Sequence, residues 1–85
     1  MDKKIEKIQE QCSQLRDYVA AIMSFSRSHA DSSVYCEEIK IRIRDARHQV
    51  ASLTLGANKV GAKEVINQLV KLIYALDLID EAISA

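Results

Sequence analysis

The stretch "EIKIRIRDARHQV", residues 38–50, decides the fold, because it can be read with two different periods. Ile39, Ile41 and Ile43 alternate with Lys40, Arg42 and Arg44, the period of a half-buried β-strand. Read as a helix, Cys36, Ile39, Ile43, Ala46, Val50 and Leu53 follow one another at steps of 3, 4, 3, 4 and 3. That seam runs through the alternating segment and continues beyond it. Glu37 and Glu38 would then sit in the first turns, where negative charge opposes the helix dipole favourably. Glu38 and Arg42 would form an i,i+4 pair in the preferred order, worth roughly 0.2–0.5 kcal/mol. A strand here would have no partner, since nothing else in the chain alternates and a sheet needs a second strand. The helical reading therefore prevails, and its cost is Ile41, which lands on the solvent side.

Working outward toward the start, residues 3–27 carry a second seam in Ile5, Ile8, Cys12, Leu15, Val19 and Ile22, again at steps of 3 and 4. Asp2 is placed to cap it. The seam is narrow at first, flanked by Lys4, Gln9 and Gln11, and widens where Tyr18, Met23 and Phe25 join it. A narrow seam suits contact with one helix, and a broad face suits burial among several. Between the two helices lies SFSRSHADSS (24–33), half of it serine. Serine and aspartate compete with helix interiors and favour caps and turns. The connection is placed near Ser28–Ser32, with Asp31, Ser32 or Ser33 capping the next helix.

Working outward toward the end, Leu55-Gly56 is read as the stop of helix two, with glycine as a left-handed cap. A third helix over residues 62–84 is predicted from Val65, Leu69, Leu72, Leu76, Ile79 and Ile83, with Ile66, Val70 and Ile73 beside them. This face is about twice as wide as a coiled-coil seam, so helix three is expected to be the central one. Tyr74 and Leu78 lie a turn apart where solvent is expected. The predicted architecture is all-α, a single domain over residues 1–85 forming an up-down-up three-helix bundle with helices at 3–27, 33–55 and 62–84. A helix of about 25 residues spans roughly 38 Å. Helix one should then exceed helix two, and its narrow-seamed start would project or dock elsewhere.

Composition limits what such a bundle can do. Eighty-five residues, 48% hydrophobic and 28% charged, supply one small core and a soluble surface. Twelve basic and twelve acidic side chains cancel. They are spread evenly along the chain, so neither the basic excess of a nucleic-acid binder nor the acidic excess of a mimic is present. The start MDKKIEKIQEQ is charged rather than signal-like, and no apolar run approaches a membrane span. Two cysteines are too few for a disulfide framework, and a reducing, cytoplasmic location is the expectation.

Several stretches resemble chemistry in part. GANKVGAK (56–63) nearly spells a phosphate-binding loop, but an alanine separates Gly61 from Lys63. Glu64 stands where a magnesium-binding hydroxyl belongs, and no strand precedes it. Cys12, His29, Cys36 and His48 match a zinc inventory in number but lack paired spacing. Both cysteines occupy seam positions, where a thiol behaves as a small apolar group. His29-Ala30-Asp31 among serines reads as caps and a solvated histidine. No two carboxylates share an apolar setting, so general acid–base work has no candidate. No catalytic residue, metal ligand or cofactor is assigned, and no enzyme is expected.

Lys40, Arg44 and Arg47 form a basic strip along helix two, with Glu37, Glu38 and Asp45 within reach. The misplaced apolar residues carry more information. Ile41, Tyr74 and Leu78 lie outside the seams, and Ile5, Ile8 and Leu15 lie where the seam has little flanking cover. A small helical protein-interaction module of the bacterial or phage type is therefore expected: an adaptor, co-chaperone, regulator or stoichiometric inhibitor. Its anchors would be Ile5, Ile8, Leu15, Ile41, Tyr74 and Leu78, with Lys40, Arg44 and Arg47 steering an acidic partner. A second copy of the chain, paired through helix one, is the other partner considered. The alternative is a homodimeric nucleic-acid-associated regulator using the basic strip, which the zero net charge disfavours; no membrane partner is expected.

Overall fold

The apolar spacing that begins at Cys36 does not stop at Leu53, for Ala57 and Val60 extend it by further steps of four and three. The computed structural model describes residues 3–29 and 33–84 and follows that spacing. Helix α1 is Lys3–Ser28, a 3-10 turn at Ser33–Tyr35 leads into α2 at Cys36–Val60, and α3 is Lys63–Ser84. The described residues contain no strand, so residues 39–44 are helical. The whole measures 47 × 16 × 16 Å, little longer than one such helix, so the three lie side by side. This is an all-α three-helix bundle.

Direction and register can be read from cross-helix pairs. Ile8 of α1 meets Gly56 near the end of α2, and Tyr18 bonds Asp45, so these helices run antiparallel. Cys36 at the start of α2 approaches Ile83 near the end of α3, and Arg47 pairs with Asp77. Helix α3 runs alongside α1, with the Cys12 thiol donating to Gln68 Oε1 at 3.4 Å. The chain goes up, down and up.

All three seams close on one core. Cys12, Leu15, Val19 and Ile22 come from α1; Ile39, Ile43, Ala46, Val50 and Ala57 from α2; Val65, Leu69, Leu72, Leu76 and Ile79 from α3. Tyr18, Met23 and Phe25 pack against its edge, as the widening seam of α1 implied. Every pair of helices is in contact, and α2 rather than α3 packs most extensively on the other two, so helix three is not the central one. The extra width of α3 is not buried: Val70 is 44% and Ile73 38% exposed.

The end of α2 departs most from the sequence reading. Gly56 lies inside the helix, and the left-handed residue is Gly61, at φ 70°. The Gly61 N–H donates to the Asn58 carbonyl and the Ala62 N–H to the Ala57 carbonyl, the pair of bonds that closes a Schellman motif. The physical reason is burial. Stopping at Leu55 would have exposed Ala57, which is fully buried, and uncovered Ile8. Helix α2 is therefore as long as α1 to within one residue, 25 against 26. The start of α1 is covered rather than projecting, with Ile8 packed on the core and Ile5 half-buried.

At the other end of α2, Tyr35 occupies the N-cap with helical backbone and no side-chain cap bond. Ser33 opens the 3-10 turn instead. Asp31 and Ser32, and Asp2 at the start of α1, lie outside the described residues. Three rings hold this end together. Phe25 stacks on His29 at 4.2 Å between centroids, and Tyr35 meets Phe25 edge-on at 5.4 Å. His29 Nδ1 lies 2.9 Å from the Phe25 carbonyl, which also accepts the His29 backbone N–H at 3.1 Å as α1 ends.

Two glycine substitutions should act in opposite directions. A Cβ at Gly56 would lie 3.7 Å from Ile8 Cδ1, an ordinary contact. Gly56→Ala should therefore stabilise the fold by about 0.5–1 kcal/mol through helix propensity. Gly61→Ala has open space but a left-handed backbone, and should destabilise by about 1 kcal/mol. Thermal unfolding followed by circular dichroism measures both, at about 4–8 °C per kcal/mol for a domain this size.

Candidate protein interface

Helix α3 has a buried side and an apolar outer side. Its buried residues recur at the 3.6-residue period, and on the far side stand Tyr74 and Leu78, 66% and 63% exposed. Val70 and Ile73 flank them, and half-buried Ile66 lies one turn earlier. Single exposed apolar residues are normal on any protein surface. Here, however, four of the seven large exposed hydrophobic residues found among the described residues fall within nine positions of one helix. That is a contiguous patch.

The other sequence-derived anchors do not join it. Ile41 is 61% exposed, but it lies between buried Ile39 and Ile43, hence on the side of α2 turned from the core. In a triangle of helices that side points away from the outer face of α3. Ile5 and Ile8 are half-buried, and Leu15 is 3% exposed, so it is a core residue rather than a free anchor. The extra turn of α2 lies over the start of α1 at Ile8, while Leu15, farther along, is a seam residue of the shared core. What remains between α1 and α2 is an open groove of about 550 Å³, with Ile8, Leu15 and Leu53 alongside Gln11, Gln14 and Gln49. Its lining mixes amides with the edges of core residues.

Tyr18 borders that groove, and its hydroxyl donates to Asp45 Oδ2 at 3.1 Å. Partial burial raises the phenol pKa first. The hydrogen bond and the charge of Asp45 add to this, and Arg42 opposes them. Burial likewise pushes the Cys12 thiol up, against a smaller opposing effect of Arg16, so Cys12 is a weak nucleophile.

The basic strip is less basic than its sequence. Arg47 Nη2 lies 2.7 Å from Asp77 Oδ1 and 4.0 Å from Asp80 Oδ2, both on α3. Arg42 is bound to Glu38 at 2.8 Å and sits 5.0 Å over the Phe25 ring. Lys40 and Arg44 make no ion pair among the described residues and border a shallow depression of about 250 Å³ with Ile43, Arg47 and Asp80. The cross-helix acceptors could not be read from α2 alone, where only Glu37, Glu38 and Asp45 were within reach.

The chemistry-like motifs dissolve in the fold. GANKVGAK forms the last turn of α2, its left-handed cap and the first residue of α3. Among the described residues no three His, Cys, Asp or Glu side chains gather as metal ligands. His29 belongs to the ring cluster, while Ala30 and Asp31 lie outside the described residues. No helix among the described residues is long and apolar enough to cross a membrane. No known family model, curated protein or solved structure matches the chain.

The Tyr18–Asp45 bond gives a pH prediction. A folded-state pKa above the unfolded one, whose usual value is 10.0, means the contribution to stability is complete below that value. It is lost as pH climbs through the raised folded value. Alkaline ultraviolet titration should therefore show the Tyr18 phenolate, isolated by difference against Tyr18→Phe, forming later than in a free peptide. Asp45→Ala should move it back toward the ordinary value. An unchanged titration in Asp45→Ala would mean that the bond does not form in solution.

Proposed function

We propose that this chain is a non-enzymatic helical interaction module that works by docking the apolar outer face of α3 on a protein partner. The observation that carries the reading is the patch of Val70, Ile73, Tyr74 and Leu78 on one helix. An aromatic and branched aliphatic residues presented at i, i+4 and i+8 are the usual anchors of helix-in-groove recognition. Tyr74 suits such a position, since its ring buries apolar area while its hydroxyl stays near the wet rim. Adaptor, co-chaperone, regulator and stoichiometric inhibitor are all roles of this kind, and a reducing cytoplasm suits a chain with two free thiols.

Lys40 and Arg44 lie on another helix and would steer an acidic partner rather than anchor it. The nucleic-acid alternative loses support, because Arg47 is held by two carboxylates and the net charge is zero. A strip reduced to two unpaired cations would neutralise few phosphates.

Affinity capture from the native host, using the intact chain as bait, tests the reading. Tyr74→Asp and Leu78→Asp should each abolish capture of whatever the wild type retains, with circular dichroism unchanged because both side chains are outside the core. Ile41→Asp should leave capture intact. If both α3 variants capture as the wild type does, the α3 face is not the docking surface.

A further inference from the structure

The outer face of α3 is self-complementary when turned end for end. Ile66, Val70, Tyr74 and Leu78 form one i,i+4 ridge whose midpoint is Leu72. Turning the helix about that midpoint places Ile66 against Leu78 of a second copy and Val70 against its Tyr74. At the shallow crossing of about 20° usual in helix bundles, two such faces stay together along their length.

The charges obey the same symmetry. Lys63 and Glu81 lie nine positions either side of Leu72. They are eighteen residues apart, about five helical turns, and so share the face that carries Tyr74. Both are exposed, and neither side chain makes an ion pair among the described residues. Antiparallel pairing brings each Lys63 toward Glu81 of the other copy, twice per dimer. Parallel pairing would set lysine against lysine and glutamate against glutamate. Asp77 and Asp80, the other acids of this half, are already engaged by Arg47 and do not compete for Lys63. Lys71 alone would lie near its own copy, at the rim where its ammonium turns to solvent.

We propose that the partner of the α3 face is a second copy of this chain, packed antiparallel and two-fold symmetric about Leu72. The proposal rests on the reading of α3 as the docking face and names its occupant. It also moves the homodimer from helix one, where the sequence placed it, to helix three. The start of α1 is covered by α2, whereas α3 keeps an uncovered face. A single helix face of about 33 Å by 10 Å, about 660 Å² over both copies, is smaller than the roughly 1,000 Å² of a stable interface, so weak association at roughly tens to hundreds of micromolar is expected.

Sedimentation equilibrium of the full chain, with loading up to about 500 micromolar to bracket that range, tests the pairing. The wild type should reach a dimer, and Tyr74→Asp should remain monomeric with unchanged circular dichroism. Lys63→Glu and Glu81→Lys should each weaken the dimer by about tenfold, since either swap turns two attractions into two repulsions. The double variant Lys63→Glu/Glu81→Lys should recover wild-type association, which separates pairing from any effect on folding. A wild type that stays monomeric overturns the proposal, as does a dimer indifferent to both single swaps. If the wild type is monomeric while Tyr74→Asp still loses its captured partner, only the identity of the occupant fails. If neither association nor capture depends on Tyr74, the docking reading fails as well.

Discussion

Each of the three helices carries one apolar seam, and no seam can be buried by a single neighbour. This mutual requirement holds the molecule together. Helix α2 shows it most clearly, because Ile39, Ile43, Ala46, Val50 and Ala57 are all at most 3% exposed along a helix of 25 residues. Alanine at positions 46 and 57 leaves no side-chain bulk to hold the neighbouring helices off. Larger residues such as Ile22, Leu69 and Leu76 fill the space elsewhere in the core. A chain of this size has a small margin of stability, so truncating one of them, at about 2–5 kcal/mol for leucine to alanine, threatens the whole fold. The length of α2 follows from the same constraint. Its last turn exists because Ile8 and Ala57 are better covered than exposed, and the helix tolerates Gly56 for that gain.

Polar contacts at the edges of the core decide rotation and register more than stability. Tyr18 with Asp45, Arg47 with Asp77, and Cys12 with Gln68 each join two helices at a definite height. The Arg47 pair is solvent-exposed, and exposed pairs of this kind contribute only about 0–1 kcal/mol. They nonetheless change which charges the surface presents. By taking up Asp77 and Asp80, Arg47 removes itself from the basic strip and leaves Glu81 as an unengaged acid on the outer face of α3. The ring cluster of Phe25, His29 and Tyr35 does similar service at the α1–α2 end, where no side-chain cap holds α2.

Helix α3 differs from its neighbours in having apolar residues on both sides. One side is consumed by the core, and the other leaves Tyr74 and Leu78 about two-thirds exposed. Large apolar groups gathered on one exposed helix are a familiar mark of an interaction site, whereas scattered ones are not. Leu55, Ile41 and Val34 are equally exposed but stand apart from one another, and the fold provides no reason to group them. The distinction is one of geometry, since the residue types are alike.

By itself the sequence determined the helical class, the three seams and their approximate extents. Those follow from the 3-4 spacing of apolar residues, which depends only on local periodicity. It also marked Ile41, Tyr74 and Leu78 as lying off the seams, for the same reason. Tertiary structure alone decided that α2 runs through Gly56 to Gly61, because a glycine stops or continues a helix according to what lies against it. It also decided that Leu15 belongs to the core, that Arg47 is engaged across helices, and that Val70 and Ile73 join Tyr74 and Leu78 in one patch. A seam shows which way a residue points, but only the placement of neighbouring helices determines whether anything is there to meet it.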